Sequence, residues 1–219
     1  MIVNEIFGSI DGEGLRTGEL ATFIRLAGCN VRCSYCDTEY ALKINQGTKM
    51  TVNQILEKVK KIGYKNITLT GGEPLIHKDV AVLINKLAVE GYNVNIETNG
   101  TQDIDLYTDY QNVFITMDYK TISSGVNNKM NVSRLETLRE CDVLKFVIGS
   151  EEDIKDIKQL LQTANIKSYI YFSPVFEKVQ PSRLVDFLKE LHDTGIRTDK
   201  TRVQVQLHKI IWKPNKRGV

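Results

Sequence analysis

The stretch GCNVRCSYCDT, residues 28–38, places three of the four cysteines of the chain within eight positions. It begins at the end of LATFIRLAG (20–28), a short apolar run that is rich in strand-forming residues. The cysteines are therefore predicted to lie in a loop that follows a strand. In parallel α/β sheets and barrels, ligands bind at the carboxyl ends of the strands, so this loop is a candidate cofactor site.

Strand-like and helix-like segments alternate along the rest of the chain. Hydrophobic periodicity and turn residues predict helices over 51–62, 78–90, 133–141, 151–164 and 181–195, and strands over 66–70, 92–98, 112–120, 142–149, 168–174 and 202–212. Such alternation is typical of a parallel sheet with crossover helices. We therefore predict one α/β domain over residues 1–219, with about six strands and no linker or internal repeat.

The composition excludes several classes of partner. The formal net charge of +2 gives no electrostatic reason to expect binding to nucleic acid or to an anionic membrane. The N-terminal residues lack the regions of a signal peptide, and no apolar run approaches the roughly 18 residues that span a bilayer. We therefore expect a cytoplasmic protein, in a reducing compartment where clustered cysteines bind metals more often than they form disulfides.

Cys29, Cys33 and Cys36 have the spacing C-x3-C-x2-C. Thiolates at this spacing can each bind a different iron on one face of a four-iron cluster, which usually has four cysteine ligands. Three ligands leave one iron open, and open coordination is a property of catalytic metal centres. A thiol redox site and a zinc site stay open as alternatives, the further zinc ligands being scattered in the sequence: Cys141, His77, His192 and His208. Cys141 is more simply predicted to be a small buried side chain.

Four polar or glycine-containing segments fall at or just beyond the ends of predicted strands. They are TGGEP (70–74), ETNG (97–100), MDYK (117–120) and SPVF (173–176). Because the carboxyl ends of parallel strands meet at one edge of a sheet, these four segments are predicted to face one cleft.

The cysteine triplet, TGGEP and the order of strands and helices together resemble the radical S-adenosylmethionine (SAM) superfamily. The resemblance implies a partial, incomplete TIM-like β/α barrel with a mostly parallel sheet. It also implies that the three cysteines hold a [4Fe-4S] cluster whose open iron binds SAM, which is then cleaved to a 5′-deoxyadenosyl radical. Gly71 and Gly72 would let the backbone approach SAM closely, and Glu73 would accept a hydrogen bond from its ammonium group.

Longer stretches narrow this resemblance to the 7-carboxy-7-deazaguanine synthase family. They are FGSIDGEGLRTGELATFIRLAGCNVRCSYCDTEY (7–40), TGGEPLI (70–76), ETNGT (97–101), LKFVI (144–148) and QLHKIIWKPNKRGV (206–219). That family converts 6-carboxy-5,6,7,8-tetrahydropterin to 7-carboxy-7-deazaguanine with loss of ammonia, in the biosynthesis of queuosine and related deazapurines. The resemblance implies a lyase that uses SAM and Mg²⁺, an electron donor such as flavodoxin or ferredoxin, and a homodimer. The alternatives are a glycyl-radical-enzyme activase and a non-enzymatic metal-binding module.

The resemblance assigns candidate site residues one by one. The substrate would contact Ile10, Asp11, Gly12, Glu13, Arg25, Thr70 and Val219. SAM would contact Tyr35, Cys36, Asp37, Gly72, Glu73, Asp118, Tyr119, Lys120, Ser173, Pro174, Val175 and Phe176, with Glu97 near its ribose or sulfonium. Thr38 would bind Mg²⁺, which prefers oxygen ligands. Arg25 suits the substrate carboxylate, because a guanidinium offers two parallel donors.

The chain departs from this family at two places. Asp11 stands where many members have glutamine, and Asp118-Tyr119 stands where members commonly have Ser-Pro. Two features of the C-terminal region keep alternative interpretations. The basic tail (Lys213, Lys216 and Arg217) either closes over the substrate or is solvated, and His208 either points into the site or packs.

Overall fold

One mixed sheet of nine strands organises the chain in a computed structural model, which describes residues 1–196 and 198–219. The strands are β1 Ile2–Ile10, β2 Leu20–Leu26, β3 Thr48–Lys49, β4 Asn66–Gly71, β5 Asn93–Thr98, β6 Val113–Tyr119, β7 Val143–Ile148, β8 Tyr169–Pro174 and β9 Thr201–Val203. Their spatial order is β3-β1-β2-β4-β5-β6-β7-β8-β9. The β1–β2 and β1–β3 pairs are antiparallel, and the other pairs are parallel. Because the edge strands β3 and β9 do not pair, the barrel is incomplete, and the predicted fold class is confirmed.

Five α-helices accompany the sheet in the described residues: α1 Val52–Ile62, α2 Val80–Val89, α3 Glu151–Thr163, α4 Pro181–Asp193 and α5 Leu207–Ile211. Local capping explains two of the boundaries. The Thr51 hydroxyl accepts a hydrogen bond from the Gln54 amide and starts α1, while Ser150 does the same for α3. None of the described helices is long and apolar enough to cross a membrane.

The strands separate an apolar face from a polar face, because successive side chains point to opposite sides of a sheet. The helices cover the apolar face, which includes Leu69, Ile96, Met117 and Phe146. The opposite face lines the interior of the partial barrel and includes Thr70, Glu97, Asp118 and Lys145. The alternation of side chains along each strand therefore places apolar residues in the core beneath the helices and polar residues in the interior of the partial barrel.

Four segments differ from the sequence prediction. β1 and β3 lie outside the predicted strands, so the prediction of about six strands is too low. Residues 202–212 are not one strand, because β9 ends at Val203 and α5 follows it. The predicted helix over 133–141 is also wrong, since only a short 3-10 helix forms there, at Val132–Thr137.

A buried ion pair replaces that predicted helix. The Asp142 carboxylate is completely buried and accepts hydrogen bonds from the Arg139 guanidinium, from the Arg139 amide and from the Ile115 amide. The guanidinium also donates to three backbone carbonyls, those of Thr108, Tyr110 and Val113. The chain therefore turns here to join the starts of β6 and β7. Cys141 is exposed beside this turn, so the prediction that it is buried is wrong.

Replacing Asp142 by alanine is expected to destabilise the fold by about 3–5 kcal/mol, because it leaves a guanidinium and a buried amide without their partner. Urea unfolding measures the loss. Asp186→Ala is the matched control, since the Asp186–Lys189 pair is exposed and worth less than about 1 kcal/mol. Equal effects from the two substitutions would contradict the role of Asp142.

Candidate active site

A cavity of about 290 Å³ opens at the carboxyl ends of the parallel strands, on the polar face of the sheet. That volume is near the lower end of the range for small-molecule sites. The four strand ends that were predicted to face one cleft do so, since each contributes residues to the cavity wall. The cysteine loop and the C-terminal tail complete the wall.

The three clustered cysteines all line this cavity as partly exposed free thiols. Burial raises the pKa of Cys33 to about 11, so binding a metal has to displace the proton. Within residues 1–196 and 198–219, no three His, Cys, Asp or Glu side chains are grouped so that they could hold one metal ion. A cluster has a different requirement, because each thiolate binds a different iron. The donor set therefore fits a four-iron cluster better than a zinc ion.

Gly71 and Gly72 are required by the close approach of two backbones. A Cβ at Gly71 would lie 2.1 Å from the carbonyl oxygen of Leu26, and one at Gly72 would lie 2.3 Å from that of Gly28. Gly71 also has a φ of +149°, which side chains disfavour. The two glycines therefore allow the backbone at the end of β4 to lie directly against the start of the cysteine loop. Both glycines line the cavity.

Glu73 does not have its predicted position. Its carboxylate is completely buried and accepts hydrogen bonds from the amides of Leu75 and Asn99 and from the Thr98 hydroxyl. It is not part of the cavity wall. The carboxylate therefore joins the end of β4 to the end of β5, and the predicted contact with the SAM ammonium does not fit this position.

Side-chain alternation along β6 separates two other predicted SAM contacts. Asp118 and Lys120 line the cavity and are paired at 3.0 Å, and the Asp118 Oδ1 atom is buried without a hydrogen-bond partner in the described residues. Tyr119 points to the opposite face, where its ring packs edge-on against Phe146 in the core. Its side chain therefore cannot make the predicted contact.

The remaining predicted site residues fall into two groups. Ser173 is buried and does not line the cavity, and its hydroxyl also has no partner in the described part of the chain. The others line the cavity: Ile10, Asp11, Gly12, Glu13, Arg25, Tyr35, Cys36, Asp37, Thr38, Thr70, Gly72, Glu97, Pro174, Val175, Phe176 and Val219.

Arg25 is held from one side by a carboxylate. Its Nε atom donates to Glu5 Oε1 at 2.8 Å, and Tyr40 donates to the same oxygen at 3.1 Å. The two terminal nitrogens of the guanidinium make no hydrogen bond within residues 1–196 and 198–219. Arg25 therefore has a fixed position on the cavity wall and a free pair of donors.

The C-terminal tail lines the cavity from residue 214 to residue 219. The Arg217 guanidinium lies 3.8 Å from the centre of the Tyr40 ring, and Lys209 pairs with Asp37 on the cysteine loop at 2.9 Å. Lys216 and Arg217 line the cavity and are also exposed, so the closure of the tail over the substrate stays a prediction.

His208 lines the cavity from the short helix α5, close to Gly12. A Cβ at Gly12 would lie 2.5 Å from His208 Nδ1, and the Gly12 carbonyl accepts a hydrogen bond from the Leu207 amide. Gly12 therefore allows α5 to approach the loop that follows β1. The interpretation that His208 points into the site agrees with the structure.

Asp11 is a buried carboxyl group on the cavity wall. Thr68 donates a hydrogen bond to it at 2.7 Å, while Glu97 repels its charge and Arg16 attracts it. Burial is the largest effect and raises the pKa of Asp11 to about 7. The carboxyl group is therefore neutral in part of the population at physiological pH.

We expect Asp11→Asn to make the protein more stable than the unsubstituted chain at pH 8, by about 2–4 kcal/mol. Between about pH 4 and pH 7 the folded state keeps a proton that the unfolded state has lost. The unsubstituted chain therefore loses stability as the pH rises through this window, and the variant does not. Urea unfolding at pH 4.5 and pH 8 measures the difference, with exposed Asp186→Asn as the control. A constant difference at both pH values would contradict the assignment.

A sequence profile of the radical SAM superfamily matches residues 23–191. A protein of Clostridium acetobutylicum named 7-carboxy-7-deazaguanine synthase is 43% identical to this chain, over 99% of the chain and 98% of its own length. This chain belongs to the 7-carboxy-7-deazaguanine synthase family of radical SAM proteins. A family member of the same name from Methanospirillum hungatei is 37% identical, over 98% of this chain and 86% of the relative. The crystal structure of QueE from Escherichia coli superposes with a TM-score of 0.72 at 27% identity and covers 94% of both chains.

Membership in the radical SAM superfamily implies a [4Fe-4S] cluster and SAM, and the wall of the cavity fits both. The free thiols are the ligands that a cluster requires, and the unpartnered Asp118 oxygen is an acceptor for a polar ligand. The relatives favour a radical SAM enzyme over the non-enzymatic metal-binding module, and a synthase over the glycyl-radical-enzyme activase.

Proposed function

We propose that this chain converts 6-carboxy-5,6,7,8-tetrahydropterin to 7-carboxy-7-deazaguanine with loss of ammonia. The observation that carries the proposal is one cavity whose wall contains the three clustered thiols and an arginine with two free donors. The full-length similarity to relatives named 7-carboxy-7-deazaguanine synthase supports the same reaction. We treat residues 1–219 as one catalytic domain, because strands from residue 2 to residue 203 belong to one sheet.

The substrate would lie between the loop that follows β1 and the C-terminal tail. Arg25 would bind the carboxylate through its free donors, in the bidentate arrangement that a guanidinium favours. Asp11, Glu13 and Thr70 would bind the ring nitrogens and oxygens of the pterin, because they offer both donors and acceptors. The tail, ending at Val219, would exclude water from the bound substrate.

Cys29, Cys33 and Cys36 would hold the cluster. SAM would contact the loop beside Cys36, the glycine pair, Asp118 with Lys120, and the stretch 174–176. The cluster and SAM supply the one-electron chemistry when they are bound. The residues of the chain would orient SAM toward the substrate and shield the reacting atoms from solvent.

The proposal also includes partners that follow from the resemblance. Thr38 would contribute an oxygen ligand to Mg²⁺, with substrate oxygens and water completing the shell. A reduced flavodoxin or ferredoxin would supply the electron, and the enzyme would be a homodimer. Free thiols and an oxygen-sensitive cluster suit a reducing compartment, so we place the enzyme in the cytoplasm.

The test is anaerobic incubation of the reconstituted enzyme with the tetrahydropterin, SAM, a reductant and Mg²⁺. We expect 7-carboxy-7-deazaguanine and ammonia in equal amounts, identified by mass spectrometry. Formation of 5′-deoxyadenosine only with a partner protein, and none of the deazaguanine with the pterin, would favour the activase. Omitting Mg²⁺ separately tests the role of Thr38.

A further inference from the structure

A buried ion pair lies on the cavity wall, and neither the cluster nor SAM accounts for it. Lys145 Nζ and a carboxylate oxygen of Glu13 are in direct contact, and both side chains are nearly buried, with exposed fractions of 10% and 11%. Lys145 interrupts the otherwise apolar strand β7, VLKFVI, and alternation directs it into the barrel interior. Glu13 comes from the loop that follows β1, and both residues line the cavity.

The stability of the fold does not by itself explain why these two charged side chains are buried together. An ion pair in a protein interior is often no more stabilising than apolar side chains of similar volume, because both charges must be desolvated. Ionisable groups with shifted pKa values are concentrated at functional sites, so the position of the pair on the cavity wall favours a role in the reaction.

The pair is ionised in the resting protein. Burial by itself would lower the pKa of Lys145, but the carboxylates of Glu13, Asp118 and Glu97 hold it well above its usual range. Burial would likewise raise the pKa of Glu13, but the Lys145 ammonium keeps it below its usual value. Glu13 also lies near the carboxyl groups of Glu97 and Asp37 and the imidazole of His208, and it has a hydrogen bond with the Gln206 side chain. A protonated amine and an ionised carboxylate therefore face the cavity together.

We propose that Glu13 and Lys145 are the base and the acid that remove ammonia in the last step of the reaction. The inference rests on the proposed function, because loss of ammonia is the step that needs both groups. An elimination requires a base that takes a proton from carbon and an acid that protonates the departing nitrogen. The contact between the two residues places both on the same part of the wall.

The step balances without an oxidant or a reductant. Glu13 takes a proton from carbon, and the electrons of that C–H bond form the new double bond. The C–N bond breaks with its electrons on nitrogen, which takes a proton from Lys145 and leaves as ammonia. Glu13 is then a neutral acid beside a neutral Lys145 amine. Transfer of one proton from Glu13 to Lys145 through their existing contact restores the resting pair.

The test compares two rates in the reconstituted holoenzyme, with the tetrahydropterin, SAM, a reductant and Mg²⁺. One is the exchange of deuterium from labelled substrate into SAM, and the other is the release of ammonia. Lys145→Met is expected to slow ammonia release by about 100-fold or more while exchange persists, and Glu13→Gln to slow ammonia release far more than exchange, which falls only through weaker substrate binding. A compound that still carries the amino nitrogen, heavier than the product by one ammonia, should then accumulate.

Three further variants make the result decisive. Lys145→Arg keeps the charge, but a guanidinium stays protonated even after Glu13 has been neutralised, whereas an amine can then give up its proton, so this variant should also release ammonia slowly. Added methylammonium should restore ammonia release to Lys145→Ala. Lys60→Met removes one partner of an exposed ion pair and should change neither rate.

The ratio of the deuterium-exchange rate to the ammonia-release rate shows whether the pair acts in the loss of ammonia. If exchange and ammonia release fall by the same factor in Glu13→Gln and Lys145→Arg, the pair serves only the structure or substrate binding, and the inference is overturned. Ammonia release at the normal rate in either variant overturns it as well. If Lys145→Met does not fold, the ratio of the two rates is measured in Glu13→Gln and Lys145→Arg. Failure of the proposed function is distinct, because the unsubstituted enzyme would then show no exchange with the pterin.

Discussion

Cys33→Ala abolishes SAM cleavage, which is the largest effect we expect from a single substitution. Cys33 is one of the three thiols on the loop after β2, and losing it leaves two thiolates for a cluster that needs three protein ligands. The rate of 5′-deoxyadenosine formation should fall by about three orders of magnitude or more. Iron content, sulfide content and the visible absorbance of the anaerobically reconstituted protein should fall with it.

Cys141→Ala is the matched control for this substitution. Cys141 is an exposed free thiol next to Asp142, and it does not line the cavity. We expect the variant to keep its iron and its rate of SAM cleavage. A normal iron content in Cys33→Ala, or loss of iron in Cys141→Ala, would mean that the cluster is not held by the loop at residues 28–38.

The helices and strands that could be predicted from sequence are those in which apolar residues recur at one regular spacing. Helices α1 to α4 each bury one face, and the strands that alternate with them carry buried apolar side chains at every second position. The predicted starts of these four helices lie within two residues of the observed ones, and Thr51, which is the N-cap of α1, is one local signal for them. Local chemistry was sufficient in these segments because tertiary contacts agree with it.

The segments that were missed are those in which distant contacts decide the structure. β1 reads IVNEIFGSI, and its polar residues and glycine obscure any alternation until β2 and β3 pair with it. Residues 133–141 have a helical pattern, but the buried ion pair of Arg139 with Asp142 requires a turn. At the C-terminus, contact with Gly12 favours the short helix α5 over a continued strand.

The same limit applies to the candidate site. The resemblance to the family identified most of the residues of the cavity wall. It assigned the same role to residues that are adjacent in sequence, although adjacent residues of a strand point to opposite faces of the sheet. Period-2 alternation could have separated Tyr119 from Asp118 and Lys120. It also marks Lys145, a lone charge in an apolar strand, as a residue that points into the interior. Nothing local to TGGEP could show that Glu73 joins two strand ends, because two of its three partners come from β5 and the residue after it.

Arg25→Gln should lower kcat/KM for the tetrahydropterin by about 100- to 1,000-fold, because it removes the two free donors that face the cavity. The loss should be mainly an increase in KM, since the arginine would bind the carboxylate equally before and during the reaction. Arg25→Lys should be intermediate, because it keeps the charge but loses the planar pair of donors. Steady-state rates of deazaguanine formation measure all three proteins.

Two comparisons separate substrate binding from a general loss of structure. SAM cleavage without substrate should be unchanged in Arg25→Gln, because the cysteines and the glycine pair are intact. Arg202→Gln, an exposed position on β9 outside the cavity, should leave kcat/KM unchanged. If Arg25→Gln lost SAM cleavage as well, the arginine would act on the structure of the site, through Glu5 and Tyr40, and the carboxylate would have to bind elsewhere.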